Sequence, residues 1–399
     1  MYTQSEYDKV LDYYFENKKF PTPNRRFFEA VTGSIDQKDF LFSTPWTVSW
    51  QVVSQCNLRC RHCFFEGNKD LYKSDFDLDS DTLLQLANEL NNKFSVVSLS
   101  ITGGETMLRK DIFELLKTLK RNNVAISLQT NGTLIDKNKA QLLSDILNVD
   151  TDFVQVSLDG SKPEIYDKIR GEKTFDKALN GINLLIEKGI KVNVNATALS
   201  LNVSDLPDLY TLCNNLGVKK FSVSRFVPCY KEQEYLACEF SSVLPSISAI
   251  IDKSLISKTF FEMNYRFYDF VSDEKLRAYA DEYLKKTDKK RTLCNDISCH
   301  RHNTIYINAK GEFYLCFACE NEQGCLGTFP KDSLEQIWEN RKHNIFFKPR
   351  EAKASECKKC KYFPFCTGGC MGSAFGTYGN VNAPDGLCAV SYTHLRAHE

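Results

Sequence analysis

The sequence predicts an α/β fold, a partial (β/α)6 barrel of the TIM type followed by a cysteine-rich region, on three observations. Strand-like and helix-like stretches alternate about six times between residues 45 and 235. The polar motifs of that stretch all fall just after strands, at the carboxyl ends where parallel α/β folds bind ligands. Ten of the 16 cysteines crowd the chain beyond residue 290.

Residues 1–44 form an N-terminal extension with one helical stretch, Ser5 to Asn17, and a Pro-broken remainder. Six β-branched, apolar stretches then read as strands: Thr47 to Ser54, Val96 to Ile101, Val124 to Leu128, Phe153 to Leu158, Ile190 to Ala196 and Lys220 to Phe226. Helical stretches separate them. Ser80 suits an N-cap before DTLLQLANELNNK, and TFDKALNGINLLIEKG and VSDLPDLYTLCNNLG end on glycines suited to C-caps. Such alternation predicts a parallel sheet with right-handed crossovers, and six units suit a partial barrel as well as an open sheet. We favour the barrel over 45–235. Residues 236–290 read as a helical bridge walling the substrate channel, its aromatics in KTFFEMNYRFYDF serving packing. A second domain spans 291–390, and has too few apolar strands to build its own core. The tail 391–399 (SYTHLRAHE) resembles translated adapter or vector sequence and is assigned no function.

Composition narrows the partners. With 51 Lys+Arg, 51 Asp+Glu and pI near 7, the chain has no basic field for nucleic acid or an anionic membrane, so neither is expected. No apolar run reaches a spanning length, and the start (MYTQSEYDKVLDYYFEN) lacks the regions of a signal peptide, so a cytoplasmic location is expected. Disulfides are rare there, and this many cysteines then points to metal ligation.

Each strand end carries a motif. The first leads to Cys56-x3-Cys60-x2-Cys63, the second to Gly103-Gly104-Glu105, the third to Thr130-Asn131-Gly132 and the fourth to Ser157-Leu158-Asp159-Gly160. Three thiolates can hold three irons of a cubane cluster and leave the fourth open. The competing reading is a three-cysteine zinc site completed by His62 or a distant ligand. The glycine pair would let a backbone edge approach a ligand beside the cluster. Ser157 and Asp159 either bind a ribose or aminoacyl group or mark a half-buried strand end.

These residues resemble the radical S-adenosylmethionine (SAM) enzymes, whose signature is CxxxCxxC after the first strand of a partial (β/α)6 barrel. The resemblance implies a SAM-cleaving 4Fe-4S cluster on Cys56, Cys60 and Cys63, with Gly103, Gly104 and Glu105 at the methionyl amino group. Thr106 stands where Pro is common. His62 takes a usually aromatic position beside the adenine. Asn131, Ser157, Asp159, Arg170 and Asn195 fall near positions that serve SAM in relatives; for Arg170 a surface salt bridge is the competing reading.

The late cysteines, Cys299-x11-Gly311-x4-Cys316, then Cys357-x2-Cys360-x5-Cys366-x3-Cys370 and Cys388, resemble the seven-cysteine SPASM pattern. With Cys294 this implies two auxiliary 4Fe-4S clusters, on Cys294, Cys299, Cys316 and Cys370 and on Cys357, Cys360, Cys366 and Cys388, three clusters in all. Cys319 forms a second CxxC with Cys316 and is an alternative to Cys294. Folding of this region is expected to depend on metal. The family implies reductive SAM cleavage to a 5′-deoxyadenosyl radical and net oxidation of a peptide or protein, with electrons from a donor such as flavodoxin or ferredoxin. Residues 1–44 offer about half of a winged-helix leader-peptide domain. Phe317 stands where anaerobic sulfatase maturases carry Asp, which favours a peptide-crosslinking maturase over a formylglycine-forming one. Small-molecule dehydrogenation is a lesser possibility, and an iron-sulfur electron carrier or zinc-based interaction protein is the alternative of another class.

Overall fold

The structure is a computed structural model and describes residues 3–17, 44–64, 77–228, 231–265, 270, 276–286, 303–347, 357, 359–363, 368–386 and 388. The alternation resolves into β1 (Thr47–Gln51), α2 (Ser80–Lys93), β2 (Ser98–Thr102), α3 (Ile112–Lys120), β3 (Ala125–Thr130), α4 (Lys137–Ile146), β4 (Phe153–Ser157), α5 (Pro163–Arg170), α6 (Phe175–Glu187), β5 (Val192–Ala198), α7 (Leu206–Leu216) and β6 (Lys220–Arg225). All six strands pair in parallel and in sequence order, which gives the expected TIM-like partial barrel. Helix α5 is not among the helices expected from periodicity, since eight residues are too few to show a clear period. The cap of α2 is Asp79, whose carboxylate accepts from Thr82 N; Ser80 is the first helical residue.

Period-2 alternation decides which way each strand faces. Val48, Trp50, Leu99, Ile101, Ile126, Leu128, Val154, Val156 and Val194 are buried and share a core with Leu83, Leu86, Leu115, Leu116, Ala178 and Ile182 of the helices. The intervening Ser49, Ser100, Gln129, Gln155, Ser157 and Asn195 are only partly buried and line the opposite, concave face. Parallel strands covered on both faces read as continuous apolar runs. These do not, because one face is a polar lumen.

Two departures enlarge the sheet. Residues 236–290 contain α8 (Phe240–Ser254) and α9 (Arg277–Lys286), but between them β7 (Phe260–Asn264) pairs in parallel with β6. The helical reading of KTFFEMNYRFYDF fails because Phe261 and Met263 alternate with the more exposed Phe260, Glu262 and Asn264, a strand period. Beyond it, β8 (Thr304–Ile307) pairs in parallel with the far edge of β1, and β9 (Glu312–Tyr314) and β10 (Gly327–Thr328) continue the sheet antiparallel. Among the described residues the sheet therefore has ten strands in the order β10-β9-β8-β1-β2-β3-β4-β5-β6-β7. Ile305, Ile307, Phe313 and Leu326, with Leu334, Ile337 and Trp338 around α10 (Leu334–Asn340), join the barrel's core cluster. The region's strands thus add to the core of the first domain, as a region with too few apolar strands for a core of its own must.

Helix α1 (Gln4–Asn17) buries Tyr7, Val10 and Leu11 in that cluster. The Tyr7 hydroxyl donates to Phe270 O (2.9 Å), and the Tyr13 hydroxyl to Phe261 O of β7 (2.6 Å). Among the described residues the last helix is α11 (Met371–Tyr378). Among the described residues no helix is long and apolar enough to cross a membrane.

Candidate functional site

Past β1 the chain runs on along the end of β2. Val52 N donates to Thr102 O (2.9 Å), Gly104 N to Val53 O (2.8 Å) and Glu105 N to Gln55 O (2.8 Å). The approach needs glycine: a Cβ on Gly103 would sit 2.7 Å from Val53 O, and one on Gly104 2.6 Å from Ser54 O and nearer still to Gln55 O. The glycines thus first admit the cysteine loop itself, before any ligand.

That loop carries Cys56, Cys60 and Cys63, with Cys63 N donating to Cys60 O (2.9 Å) and Leu58 N to Cys56 Sγ (3.4 Å). Burial raises the Cys56 thiol and pushes Cys60 up to about 12, while Arg170 pulls Cys60 the other way. Neutral thiols become ligands by giving their protons up to an incoming metal. Among the described residues no three His, Cys, Asp or Glu side chains could hold a single metal ion. A cubane spreads its ligands over separate irons, and an all-thiolate donor set suits it. The all-sulfur donor set of Cys56, Cys60 and Cys63 therefore fits such a cluster.

Glu105, fully buried, accepts from Met107 N (3.0 Å), the Thr130 hydroxyl (2.6 Å) and Asn131 N (2.7 Å). Burial raises its pKa and these bonds oppose the rise. Asn131 Nδ2 donates to Asn57 Oδ1 and Asn57 Nδ2 to the Thr133 hydroxyl, each at 2.9 Å. Glu105 and Asn131 thus lash the cysteine loop to the ends of β2 and β3.

A second lashing comes from β4. Asp159, fully buried, accepts from Arg170 Nε (2.6 Å) and Thr197 N (2.7 Å), with His62 Nε2 at 3.3 Å. Arg170 is only 7% exposed, so the surface-salt-bridge reading fails: the pair is internal, because α5 ends inside the fold against Cys60. Burial lowers His62 to about 4 despite Asp159, and its ring stands edge-on to Phe226 at 6.4 Å. On the lumen face Ser157 is in register with Asn195, whose Oδ1 accepts from the Ser224 hydroxyl (2.8 Å). Gln233 escaped sequence reasoning, having no motif or period to mark it; its Nε2 donates to Arg61 O (2.9 Å) and Cys63 O (3.1 Å).

In the C-terminal region Cys316 Sγ lies 3.5 Å from Cys319 Sγ. Cys370 caps α11, and Gly372 packs so tightly on Ala318 that a Cβ would meet the Ala318 methyl at 2.7 Å, so the start of α11 lies against the Cys316–Cys319 turn. Asp385, also unforeseen, is 1% exposed, accepts from Cys370 N (2.6 Å) and the Ser373 hydroxyl (2.7 Å), and offers its carbonyl to Cys388 N (2.8 Å). Cys357 and Cys360 share a turn whose Lys361 and Tyr362 bond Asp281 of α9 (2.6 and 2.8 Å). Cys294, Cys299 and Cys366 lie outside the described residues. The first and last cysteine regions meet through Phe64 and Phe317, whose rings cross at 89° with centroids 5.8 Å apart and are 45% and 58% exposed.

Residues 50–213 match the family profile described as the radical SAM superfamily, and residues 294–361 match SPASM, an iron-sulfur cluster-binding domain. The chain is 23% identical to AdoMet-dependent heme synthase of Nitratidesulfovibrio vulgaris, covering 86% of this chain and 91% of that protein. It is 24% identical to mycofactocin maturase MftC of Mycobacterium tuberculosis, covering 91% and 88%. It is 32% identical to a probable GTP 3′,8-cyclase of Methanocaldococcus jannaschii, covering 53% and 68%. Among solved structures, Streptococcus suis SuiB bound to precursor peptide SuiA superposes with a TM-score of 0.68 at 17% identity over 87% of this chain and 76% of that one. The structure of anSMEcpe with bound AdoMet gives 0.64 at 22% identity over 88% and 92%.

Proposed function

The chain belongs to the radical SAM superfamily of enzymes and carries a SPASM iron-sulfur region, and from that premise we propose that it oxidatively modifies, and crosslinks, a ribosomally made peptide. Cys56, Cys60 and Cys63 hold the SAM-cleaving cluster. Cys316 and Cys370, with Cys294 and Cys299, hold one auxiliary cluster, and Cys357, Cys360, Cys366 and Cys388 the other. When bound, the first cluster supplies the electron that splits SAM into methionine and a 5′-deoxyadenosyl radical able to take an unactivated hydrogen. The chain's own part is positional. Glu105 and Asn131 hold the cysteine loop against the glycine pair, leaving the backbone of Gly103 and Gly104 beside the loop. Ser157 and Asn195 present polar groups from the lumen, and the barrel keeps the target C–H in place and solvent away. A flavodoxin or ferredoxin provides electrons.

The observation that carries the peptide reading is the Phe64–Phe317 contact. Both rings are substantially exposed and bring the end of the first cysteine loop against the turn that follows Cys316. Two exposed aromatic rings so placed suit contact with the side chains of an extended peptide, and no carboxylate directly follows Cys316 for formylglycine chemistry. SuiB is captured with a precursor peptide and MftC is a maturase by name, which supports this choice. Mass spectrometry of the product of a neighbouring short reading frame, incubated with SAM and reductant, should show a loss of about two hydrogen masses per modification, the balance of a two-electron oxidation. Conversion of a sulfatase cysteine to formylglycine, or turnover of a haem precursor, with the peptide untouched would replace this reading.

A further inference from the structure

Cys60 is the most enclosed of the three early cysteines: it is buried, while Cys56 and Cys63 are half-buried. Its closest polar neighbours come from the last residue of α5. Arg170 Nη1 stands 3.9 Å from Cys60 Sγ, and the Arg170 carbonyl 3.8 Å from it. Behind Arg170 lies Asp159, fully buried and held by Arg170 Nε and Thr197 N. A fixed cation and a fixed anion, both shielded from water, therefore sit in a row at the back of one thiol. Charges so placed are screened little by solvent or salt. Of the two, Arg170 faces the Cys60 thiol directly through Nη1, while Asp159 is held on its Nε.

The potential of an iron-sulfur cluster depends on hydrogen bonds to its sulfurs, on nearby charge and on exposure. A reduced cluster carries one more negative charge than the oxidised one. A nearby guanidinium favours that form and a nearby carboxylate opposes it. We propose that Arg170 and Asp159 are positioning residues that set the reduction potential of the first cluster through Cys60, Arg170 raising it and Asp159 lowering it. The inference rests on reading Cys56, Cys60 and Cys63 as that cluster's ligands. It adds a role for Arg170 and Asp159 to the SAM contact implied by the sequence resemblance, and it is argued from their burial beside Cys60.

The test is an EPR-monitored redox titration of the anaerobically reconstituted full chain without SAM, following the signal that SAM addition perturbs. In Arg170→Gln the ratio of reduced to oxidised cluster at a fixed poise should fall about tenfold, the loss of one hydrogen bond to a charged group, which is about 59 mV toward lower potential for a one-electron couple. In Asp159→Asn, which keeps the shape and one acceptor oxygen, the ratio should rise. Opposite shifts support the proposal, because a pair that merely clamped the loop would move both variants the same way or neither. Shifts of one sign, or none with full iron loading, overturn it. Where Arg170→Gln takes up no iron, Asp159→Asn decides alone: a rise supports, an unchanged or lower ratio overturns. Failure of the underlying reading is separate and visible, since the wild-type protein would then show no SAM-responsive signal.

Discussion

Gly104→Ala tests whether the cysteine loop is held by backbone contact with the end of β2. The new Cβ would lie 2.6 Å from Ser54 O and nearer to Gln55 O, whereas ordinary nonbonded contact begins at about 3.5 Å. The loop must therefore retreat by about 0.9 Å or more. It cannot do so and keep both Gly104 N to Val53 O and Glu105 N to Gln55 O at 2.8 Å. Losing two such bonds costs about 1 kcal/mol each, and overpacking adds about 1–3 kcal/mol, so we expect about 3–5 kcal/mol concentrated in the segment that leads to Cys56. Anaerobic reconstitution with iron analysis, SAM titration and a thermal melt would read it as weak loading of one cluster and a lowered midpoint. Gly376→Ala is the control, because a Cβ there meets nothing within 4 Å and alanine favours a helix interior. Wild-type iron, SAM affinity and melting in Gly104→Ala would refute the argument that the glycines serve the loop.

Cys63→Ala should lose about four irons and all 5′-deoxyadenosine formation, checked by iron analysis and chromatography. Cys360→Ala should also lose about four irons yet still cleave SAM with dithionite, while making little oxidised product; circular dichroism controls for unfolding. Trp338→Ala, at a side chain 1% exposed and stacked at 3.8 Å on the Arg341 guanidinium, should cost about 3–5 kcal/mol, read as a lower melting midpoint. Stripping iron with a chelator should leave most far-UV circular dichroism in place, since β8 pairs with β1 and β9 with β8; loss of most of it would show that metal holds the sheet.

The six βα units and the placement of motifs at their carboxyl ends were legible because strand alternation and turn chemistry are local. Even the polar lumen was written in TVSWQ, SLSIT and FVQVS, whose second period is polar, though one alternation cannot say whether its polar face meets water, a ligand or a lumen. β7 was hidden by aromatics that also suit a helix, and became a strand through pairing with β6. β8 and β9 were not read as strands, and nothing local to β8 names β1 as its neighbour. The sequence marks the cysteine and glycine motifs, but not the hydrogen bonds that hold them. Asp159, Arg170 and Glu105 look from sequence like ligand contacts, and their burial and mutual bonds exist only once distant strand ends converge. Gln233 and Asp385 have no sequence signal at all.

Because β8 hydrogen-bonds to β1, the strand that feeds the first cysteine loop is an interior strand solely by courtesy of the C-terminal region. A gene shortened before residue 303 would turn Thr47–Gln51 into a raw edge, its amides and carbonyls open to any passing strand, the usual start of aggregation. The two halves are therefore poor cassettes. An exchange between relatives that swaps the cysteine-rich half at a junction in 287–302 would have to carry a foreign strand able to read β1's register, Thr47 against the position of Thr304 and Trp50 against that of Ile307. The alternative is to keep the native hairpin in place and graft only the chain beyond Thr328.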